Sequence, residues 1–444
     1  MPMSDRRRYP LKKFFCKIRR SPYGSSILLL ACILAGSCFV NAGDAEPYKI
    51  DYSQYLLAEA PANIEDDSFC APYLKFMREV FEVMDREYYL SASKDIFESF
   101  ADKFKKSVLY RLSDKSKVIE DIKFLGAGLL VNKLKAEDDE FTNFIPPAKV
   151  EEFKNDILGY DLGVGITGEL LKNAYLIRHV ELRSGAFRMD IVPGDLILSI
   201  NDRPVAGLTI EEVQALLFPP LGTKTRLEIF SRKEGAAKVV DLTAEKFFRE
   251  TLSSRDTGIR GLRYIKIDQF NKETGPDFKK LLAHFMRDNL NYLIMDLRGN
   301  AGGPPLAARE LAGLFLPPET TLFFFQRKGR PRIMLSAPAS EVVFTGNLAI
   351  LIDKGSGSAS ELFSGTLRSY GRALLIGEPS AGKTFLKSLY EFGDGSMLIL
   401  VTSPAYLYTG ERYDPLGLKP DFTLKEDDDL FSHVLRCLKE SFEK

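Results

Sequence analysis

Apolar residues recur at steps of three and four in two segments between residues 73 and 135. These segments read YLKFMREVFEVMDREYYL and DIFESFADKFKKSVLYRL. This spacing places apolar side chains on one face of an α-helix. We therefore predict helices here, with their phenylalanines in a hydrophobic core and not in a cofactor site. The acidic run and proline pair of EDDEFTNFIPP, residues 137–147, predict a boundary after these helices.

Residues 160–232 change to short apolar runs separated by turn residues. LGVGITG, AYLIRHV and TKTRLEIFSR are typical of strands, and VPGDLILSINDRPV places another strand between two turns. TIEEVQALLF fits a helix with Thr209 as its N-cap. The pattern predicts a small module of short strands with one flanking helix.

From Arg260 onward, apolar strands alternate with amphipathic helices. The predicted strands are LRYIKIDQF, YLIMDLR, LAILID and RALLIGE, and the helices between them are GPDFKKLLAHFMRDN, LAARELAGLFL and SASELFSGTLRSYG. Strands that alternate with helices pair in parallel, and the helices cross over between them. MLILVTSPAYLYT reads as one more strand. We therefore predict a multidomain α/β protein.

The N-terminus has the pattern of an export signal. Residues 1–20 hold eight basic residues and one acidic residue, and a run of 14 mostly apolar residues follows from Ile27 to Val40. A basic stretch, a short apolar run and small residues at the cleavage site are typical of a cleaved export signal. Cleavage is expected here after Ala42. An uncleaved membrane anchor stays open, as does a lipoprotein anchor on Cys38, whose preceding residues loosely resemble a lipoprotein box.

Composition and charge exclude several classes of protein. The 444 residues are 45% hydrophobic and carry 61 basic and 61 acidic side chains, which excludes collagen-like and mainly disordered chains. Beyond residue 20, acidic side chains outnumber basic ones by 60 to 53, so no global attraction for nucleic acid is expected. No CxxC pair or histidine cluster suggests a metal, and no cofactor is expected. A Cys70–Cys437 disulfide stays open.

Two loops rich in small residues could carry chemistry. DLRGNAGG, residues 296–303, ends a buried strand, and its N–H groups could bind an anion or simply form a tight turn. KGSGSASE, residues 354–361, places a serine at the start of a helix, where the helix dipole favours a developing oxyanion. The alternative for this second loop is a capping box from Ser358 to Glu361.

A third segment matches the phosphate-loop pattern GxxxxGK[ST]. It reads GEPSAGKT, residues 377–384. A phosphate loop must open a helix, whereas the residues after Thr384 have strand character, and an exported protein has no supply of nucleotide. We therefore expect no nucleotide binding here.

The histidines are poor candidates for a catalytic base. His179 lies in a predicted strand, His284 in a predicted helix and His433 near the C-terminus. A serine nucleophile can use a neutral lysine instead, provided that the lysine is removed from water so that its pKa falls. The second and third segments supply a serine and a lysine.

These motifs together resemble the carboxyl-terminal processing, or tail-specific, serine proteases. The resemblance runs from about Phe76 to Thr423 and rests on four motifs in order. They are DLRGNAGG at 296–303, GSGSASEL at 355–362, RALLIGEPSAGKT at 372–384 and GLKPD at 417–421. The resemblance implies a βαβ-spiral, crotonase-like protease core and a Ser–Lys mechanism that proceeds through an acyl-enzyme.

By motif position, the resemblance implies that Ser358 is the nucleophile and Lys383 the general base. It implies an oxyanion hole from the backbone N–H groups of Ala359 and of the Gly302–Gly303 loop. Two positions depart from the family's pattern. Lys387 stands where the family often has a glutamine that orients the base, and Ala301 replaces the usual proline.

The module at 160–235 resembles a PDZ domain. The resemblance implies that Gly163, Val164, Gly165 and Ile166 bind the carboxylate of a substrate's C-terminus through backbone N–H groups. Val213 and Leu217 of the flanking helix would form the wall of the groove. Small β modules also serve as spacers, and that alternative stays open.

We thus expect four parts. They are an export signal or anchor at 1–42, a helical region at 43–159, a PDZ domain at 160–235 and a Ser–Lys protease core at 236–444. The expected function is that of an exported, periplasmic or extracytoplasmic serine endopeptidase that cleaves proteins near a free C-terminus. The alternative is a catalytically weak or inactive binding or scaffold protein that carries a PDZ domain. The oligomeric state and the substrate's identity stay open.

Overall fold

The computed structural model describes residues 67–90, 92–111, 119–137, 139–327, 329–424 and 429–442. The predicted export signal at 1–42 lies outside them. No helix in these ranges is long and apolar enough to span a bilayer. The helices are α1 Asp67–Glu87, α2 Lys94–Arg111, α3 Ile119–Leu134, α4 Pro147–Leu158, α5 Gly185–Arg188, α6 Ile210–Leu217, α7 Thr274–Phe285, α8 Pro305–Ala312, α9 Ala359–Ser369 and α10 Leu430–Phe442.

The strands in the described part of the chain form four sheets. They are β1 Asn143–Ile145, β2 Tyr160–Gly163, β3 Ile166–Leu170, β4 Tyr175–Val180, β5 Leu196–Ile200, β6 Arg203–Pro204, β7 Lys224–Ser231, β8 Ala236–Thr243, β9 Glu245–Phe248, β10 Leu252–Arg255, β11 Leu262–Ile267, β12 Tyr292–Asp296, β13 Thr321–Phe325, β14 Ile333–Ser336, β15 Asn347–Ile352, β16 Ala373–Gly377, β17 Phe385–Glu391 and β18 Met397–Leu407.

The predicted helices between residues 73 and 135 are confirmed as α1, α2 and α3, but they do not form a core of their own. The apolar face of α1 buries Met77, Val80 and Met84 in a cluster that also contains Leu398 and Leu400 of β18. Strand β1 extends this contact because it pairs antiparallel with β18. The helical region therefore shares its core with the C-terminal part of the chain, although sequence patterns separate the two.

The middle module is a sheet in the order β3-β4-β5-β7-β8, with β6 paired to β5. Helix α6 begins at the predicted N-cap, since Thr209 and Glu212 form a capping box. Strand β8 pairs with β7 along its whole length, so the sheet extends to Thr243, eight residues beyond the predicted boundary at 235. The predicted boundary falls at the hairpin turn because GAAK lacks a strong strand pattern.

The C-terminal module has a central sheet in the order β10-β11-β12-β15-β16. Strands β11, β12, β15 and β16 run parallel, which confirms the prediction from strand–helix alternation. Helices α7, α8 and α9 pack in one large core, and α10 packs in a second core with residues of β11, β12 and β15. Cys437 of α10 is buried in this second core. The side chain of Cys70 lies outside the described side chains, so the Cys70–Cys437 disulfide stays a prediction.

A second sheet of this module has the order β1-β18-β13-β14, and β17 pairs with β18. The hairpin of β17 and β18 follows directly on Lys383 and Thr384. The segment after Thr384 is therefore a strand, as the sequence predicted, and it does not open a helix as a phosphate loop requires.

Candidate active site

The DLRGNAGG loop follows β12 and is anchored at its first residue. Asp296 is buried and accepts hydrogen bonds from the hydroxyl of Tyr264 at 2.6 Å and from the guanidinium of Arg298 at 2.6 Å. Burial opposes ionisation of Asp296, but the bonds from Arg298 and Tyr264 outweigh it and lower the pKa of Asp296. This carboxylate fixes the start of the loop.

Asn300 joins this loop to the serine loop. Its side-chain Nδ2 donates to the carbonyl of Ile267 at 2.8 Å, and its Oδ1 accepts the N–H of Gly302 at 2.9 Å. Its carbonyl accepts the N–H of Gly357 at 3.0 Å and the hydroxyl of Ser360 at 2.7 Å. No role was predicted for Asn300, and the only signal for it was its place in the DLRGNAGG motif.

Gly302 and Gly303 bring the first loop against the serine loop. Their φ angles are +113° and +143°, which only glycine adopts without strain. A Cβ on Gly302 would lie 2.8 Å from the nitrogen of Ala359, and one on Gly303 would lie 2.1 Å from the carbonyl oxygen of Phe270. Since the N–H of Gly302 already donates to Asn300, the predicted oxyanion donors that remain are the N–H groups of Ala359 and Gly303.

Three serines of GSGSASEL have different surroundings. Ser356 and Ser360 are fully buried, and their hydroxyls donate to the carbonyls of Leu297 at 2.8 Å and Asn300 at 2.7 Å. Ser358 is partly exposed at the N-terminus of α9. Its φ and ψ of 52° and −114° are strained for a residue with a side chain, as is often found at functional sites. Ser358 is thus the serine of this motif that is placed for chemistry.

Glu361 connects the serine loop to the lysine loop. Its Oε2 accepts the backbone N–H groups of Ser358 and Lys383, both at 2.9 Å. Its Oε1 accepts the hydroxyl of Ser380 at 2.6 Å and the N–H of Gly382 at 2.7 Å. Burial raises the pKa of Glu361, and the four donors oppose that rise. The capping box predicted from the sequence accounts for only one of these four bonds, the one from the N–H of Ser358.

Lys383 and Ser358 line the same small cavity. Its volume is about 10 Å³, and its other lining residues are Phe141, Ala301, Gly357, Phe385 and Lys387. The Nζ of Lys383 forms an ion pair with Glu140, at 3.0 Å from its Oε2. The side chain of Lys383 is 42% exposed. Ser358 and Lys383, the predicted nucleophile and base, therefore line one cavity. The Lys383 amine forms an ion pair with Glu140 at the exposed side of this cavity.

Lys387 lies deeper in this cavity. It is only 6% exposed, and its Nζ lies 4.5 Å from the ring centroid of Phe141, which also has the Lys383 Nζ at 5.2 Å. Burial, together with the positive charge of Lys383, lowers the pKa of Lys387 to about 8, and Asp139 opposes this decrease. Lys387 departs from the family's pattern and was not among the predicted site residues.

The predicted carboxylate-binding residues form the turn before β3. The N–H of Val164 donates to the carbonyl of Leu217 at 3.2 Å, and the carbonyl of Gly165 accepts the N–H of Glu181 at 3.0 Å. Gly163 and Gly165 have φ of +128° and +82°. The side chains of Val164, Ile166, Val213 and Leu217 are all buried in the core of the middle module.

Strand β3 lies at an edge of the middle sheet and pairs there with β4 alone among the described strands. Because alternate residues of a strand turn their polar groups to opposite sides, the bond from Glu181 to Gly165 directs the N–H of Ile166 to the open side. The side chains of Val213 and Leu217, the predicted groove wall, are buried in the core, whereas the backbone of β3 is open on this side.

The three histidines lie away from the Ser358 cavity, which none of them lines. His179 is exposed on β4, with its Nε2 3.3 Å from Glu181. Within the described ranges, no group of three or more His, Cys, Asp or Glu side chains could hold a metal ion. The residues that meet at the cavity can supply a nucleophile, amines and backbone donors.

Comparison with known proteins connects this site to a peptidase family. Residues 261–424 match the model of peptidase family S41. The chain is 29% identical over 316 residues to carboxyl-terminal-processing peptidase 2, chloroplastic, of Arabidopsis thaliana, covering 67% of this chain and 61% of the relative. It is 24% identical over 355 residues to a probable CtpA-like serine protease of Staphylococcus saprophyticus, covering 80% of this chain and 66% of the relative. The matches thus span less than two thirds of these relatives' length.

Among solved structures, the photosystem II D1 C-terminal processing protease aligns with a TM-score of 0.48 and 19% identity, over 82% of this chain and 97% of that one. The family match covers the serine and lysine loops described above. The chain therefore contains, over residues 261–424, a domain of peptidase family S41.

Proposed function

We propose that this protein is an exported serine endopeptidase that cleaves proteins near their C-terminus. The observation that carries the proposal is that Ser358 and Lys383 line one cavity, beside the glycine loop and joined through Glu361. The names of the relatives support the reaction class. The predicted signal at the N-terminus supports a site of action outside the cytoplasm.

The chemistry begins when the Lys383 ammonium leaves Glu140, gives its proton to solvent water and turns to Ser358 as a neutral amine. The neutral amine accepts the Ser358 proton while Oγ forms a bond to the substrate's carbonyl carbon. The N–H groups of Ala359 and Gly303 stabilise the developing oxyanion. The Lys383 ammonium then donates a proton to the departing amine as the C–N bond breaks, which releases the C-terminal fragment and leaves an acyl-enzyme on Ser358. Water, activated by the same amine, hydrolyses the acyl-enzyme.

The middle module acts in this proposal as a PDZ domain that binds the C-terminus of the substrate. Its β3 has an open edge, so an extended peptide can add to the sheet through main-chain hydrogen bonds. The N–H groups of Gly165 and Ile166 would bind the terminal carboxylate. The N–H of Val164 already donates within the module and is not needed.

The second candidate is a binding or scaffold protein with weak or no peptidase activity. The observation that favours it is the ion pair of Lys383 with Glu140, since a charged lysine cannot act as a base. Its partners would be the same free C-termini, bound by the middle module without cleavage. Neither candidate requires a cofactor, a metal or a nucleic acid.

A covalent probe distinguishes the two candidates. A fluorophosphonate, which reacts with activated serines, should label the wild-type protein once, on Ser358. The Ser358→Ala variant should not be labelled. Ser369→Ala is the matched control, because Ser369 lies at the opposite end of α9, and it should be labelled like the wild type. Absence of labelling in the folded wild-type protein would favour the scaffold.

A further inference from the structure

The Ser358 cavity holds two lysines, although the proposed mechanism uses one. Lys383 and Lys387 both line it, and both ammonium groups approach the ring of Phe141, at 5.2 and 4.5 Å from its centroid. Lys387 is almost completely buried, whereas Lys383 reaches the surface at Glu140. A lysine is seldom fully buried without a reason, because desolvation of its charge is costly.

Two positively charged amines in one small cavity repel each other. In the resting arrangement Lys383 forms an ion pair with Glu140, and its charge already contributes to the lowered pKa of Lys387. When the Lys383 amine turns inward to Ser358, it approaches Lys387 in surroundings of low dielectric. A charge on Lys387 then opposes a second charge on Lys383.

We propose that Lys387 is a positioning residue that keeps the Lys383 amine uncharged while it faces Ser358. This inference rests on the proposed function, because it concerns the base of the same reaction. Lys387 need not contact the substrate. It acts through Lys383, because a charge on Lys387 opposes a second positive charge in the same cavity.

The groups around Lys387 agree with this role. Asp139, from the segment before β1, is the nearby acidic group that favours the charged form, and it is itself bonded by the hydroxyl of Tyr88 at 2.8 Å. Glu140 of the same segment binds the Nζ of Lys383 at 3.0 Å. Lys387 has a pKa of about 8, so it is mostly charged at neutral pH, where its charge opposes a second one on Lys383.

The test is the rate of fluorophosphonate labelling between pH 5.5 and 10.5 for the wild type, Lys387→Met and Lys387→Gln. Both variants remove the charge, and Met keeps the length of the chain. In both variants we expect the rising limb of the labelling rate against pH to move to higher pH by about one unit or more. At pH 7 labelling should be about tenfold slower than in the wild type. The plateau at high pH should stay within about threefold of the wild type. Lys279→Gln, which removes an exposed lysine on α7, should leave the profile unchanged.

If the rising limb of the pH profile stays at the wild-type pH in either folded variant, the proposal is overturned. A lower plateau rate with an unchanged limb would show that Lys387 has a purely structural role. If the Lys387 variants do not fold, the reciprocal measurement decides. Lysine side-chain NMR on Ser358→Ala should show that Lys383→Met raises the titration midpoint of Lys387, and an unchanged midpoint would contradict the coupling. Failure of the proposed function would appear differently, as labelling that survives Ser358→Ala or is absent in the wild type.

Discussion

Glu361 accepts the backbone N–H of Lys383 at 2.9 Å through its Oε2, although the two residues lie 22 positions apart in the chain. The same oxygen accepts the N–H of Ser358. One buried carboxylate thus sets the distance between the loop of the proposed nucleophile and the loop of the proposed base. Its role is to position both loops, because no bond joins it to either reacting side-chain atom.

Replacing Glu361 with alanine should destabilise the protein and abolish labelling of Ser358. The substitution leaves Ser358, Gly382 and Lys383 with unbonded N–H groups in the interior, which we expect to cost about 3 kcal/mol of unfolding free energy. Glu361→Gln should also lose activity, because each carboxylate oxygen accepts two bonds and an amide nitrogen cannot accept. Chemical denaturation and probe labelling measure the two effects. Glu378→Gln, at an exposed position, is the control, and equal stability of the two Gln variants would contradict this role.

Gly302 and Gly299 offer a matched pair in the same loop. Both have positive φ, +113° and +73°, but a Cβ on Gly299 meets nothing within 4 Å, whereas one on Gly302 would strike Ala359. Gly302→Ala should therefore displace the start of α9 and lower kcat by about a hundredfold or more. Gly299→Ala should stay within about threefold of the wild type, because its φ of +73° lies close to the left-handed helical region and its Cβ meets no neighbour. Comparable losses in the two variants would show that contact with Ala359 is not responsible.

Removing the charge of Glu140 should increase activity at neutral pH. Both partners of the Glu140–Lys383 ion pair are about half exposed, and such pairs contribute about 1 kcal/mol or less. Glu140→Gln should thus raise the rate of Ser358 labelling at pH 7 by up to about fivefold, because Lys383 leaves its resting position more easily. Glu137→Gln, at an exposed position of the same segment, should have no effect. A lower rate of Ser358 labelling in Glu140→Gln than in the wild type would mean that Glu140 assists the base.

The proposed binding of the substrate's carboxylate predicts a preference for a free C-terminus. Amidation removes the charge that the N–H groups of Gly165 and Ile166 would bind, and leaves the peptide otherwise unchanged. Hydrogen bonds to charged groups contribute about 1.5–3 kcal/mol, so KM should rise about tenfold or more for the amide. Steady-state kinetics on matched acid and amide peptides measure this effect. Equal cleavage of both peptides would show that the middle module does not bind the carboxylate.

Much of the fold follows from local patterns. Strand–helix alternation after Arg260 predicts the parallel order of β11, β12, β15 and β16, and turn residues predict most strands of the middle module. The capping signals at Thr209 and Ser358 locate the starts of α6 and α9. These predictions succeed because each depends on residues that are close together in the chain.

Contacts between distant segments could not be predicted in this way. Glu140 and Lys383 lie 243 residues apart, and no local pattern indicates that they meet. The shared core of α1 and β18 likewise contradicts the impression of a separate helical region. The burial of Lys387 depends on Phe141 and on the strands around it, so the sequence marks the residue as unusual without indicating that it lies inside the cavity.

The central claim is that Ser358 and Lys383 act as a pair. The most direct measurement is a crystal structure of the enzyme with a covalent phosphonate on Ser358, with attention to the Lys383 Nζ. The account predicts that this atom leaves Glu140 and lies within about 3.5 Å of the Ser358 Oγ. A phosphonate bound to Ser358 while Lys383 remains on Glu140 would contradict the account, and so would a phosphonate bound to any other serine.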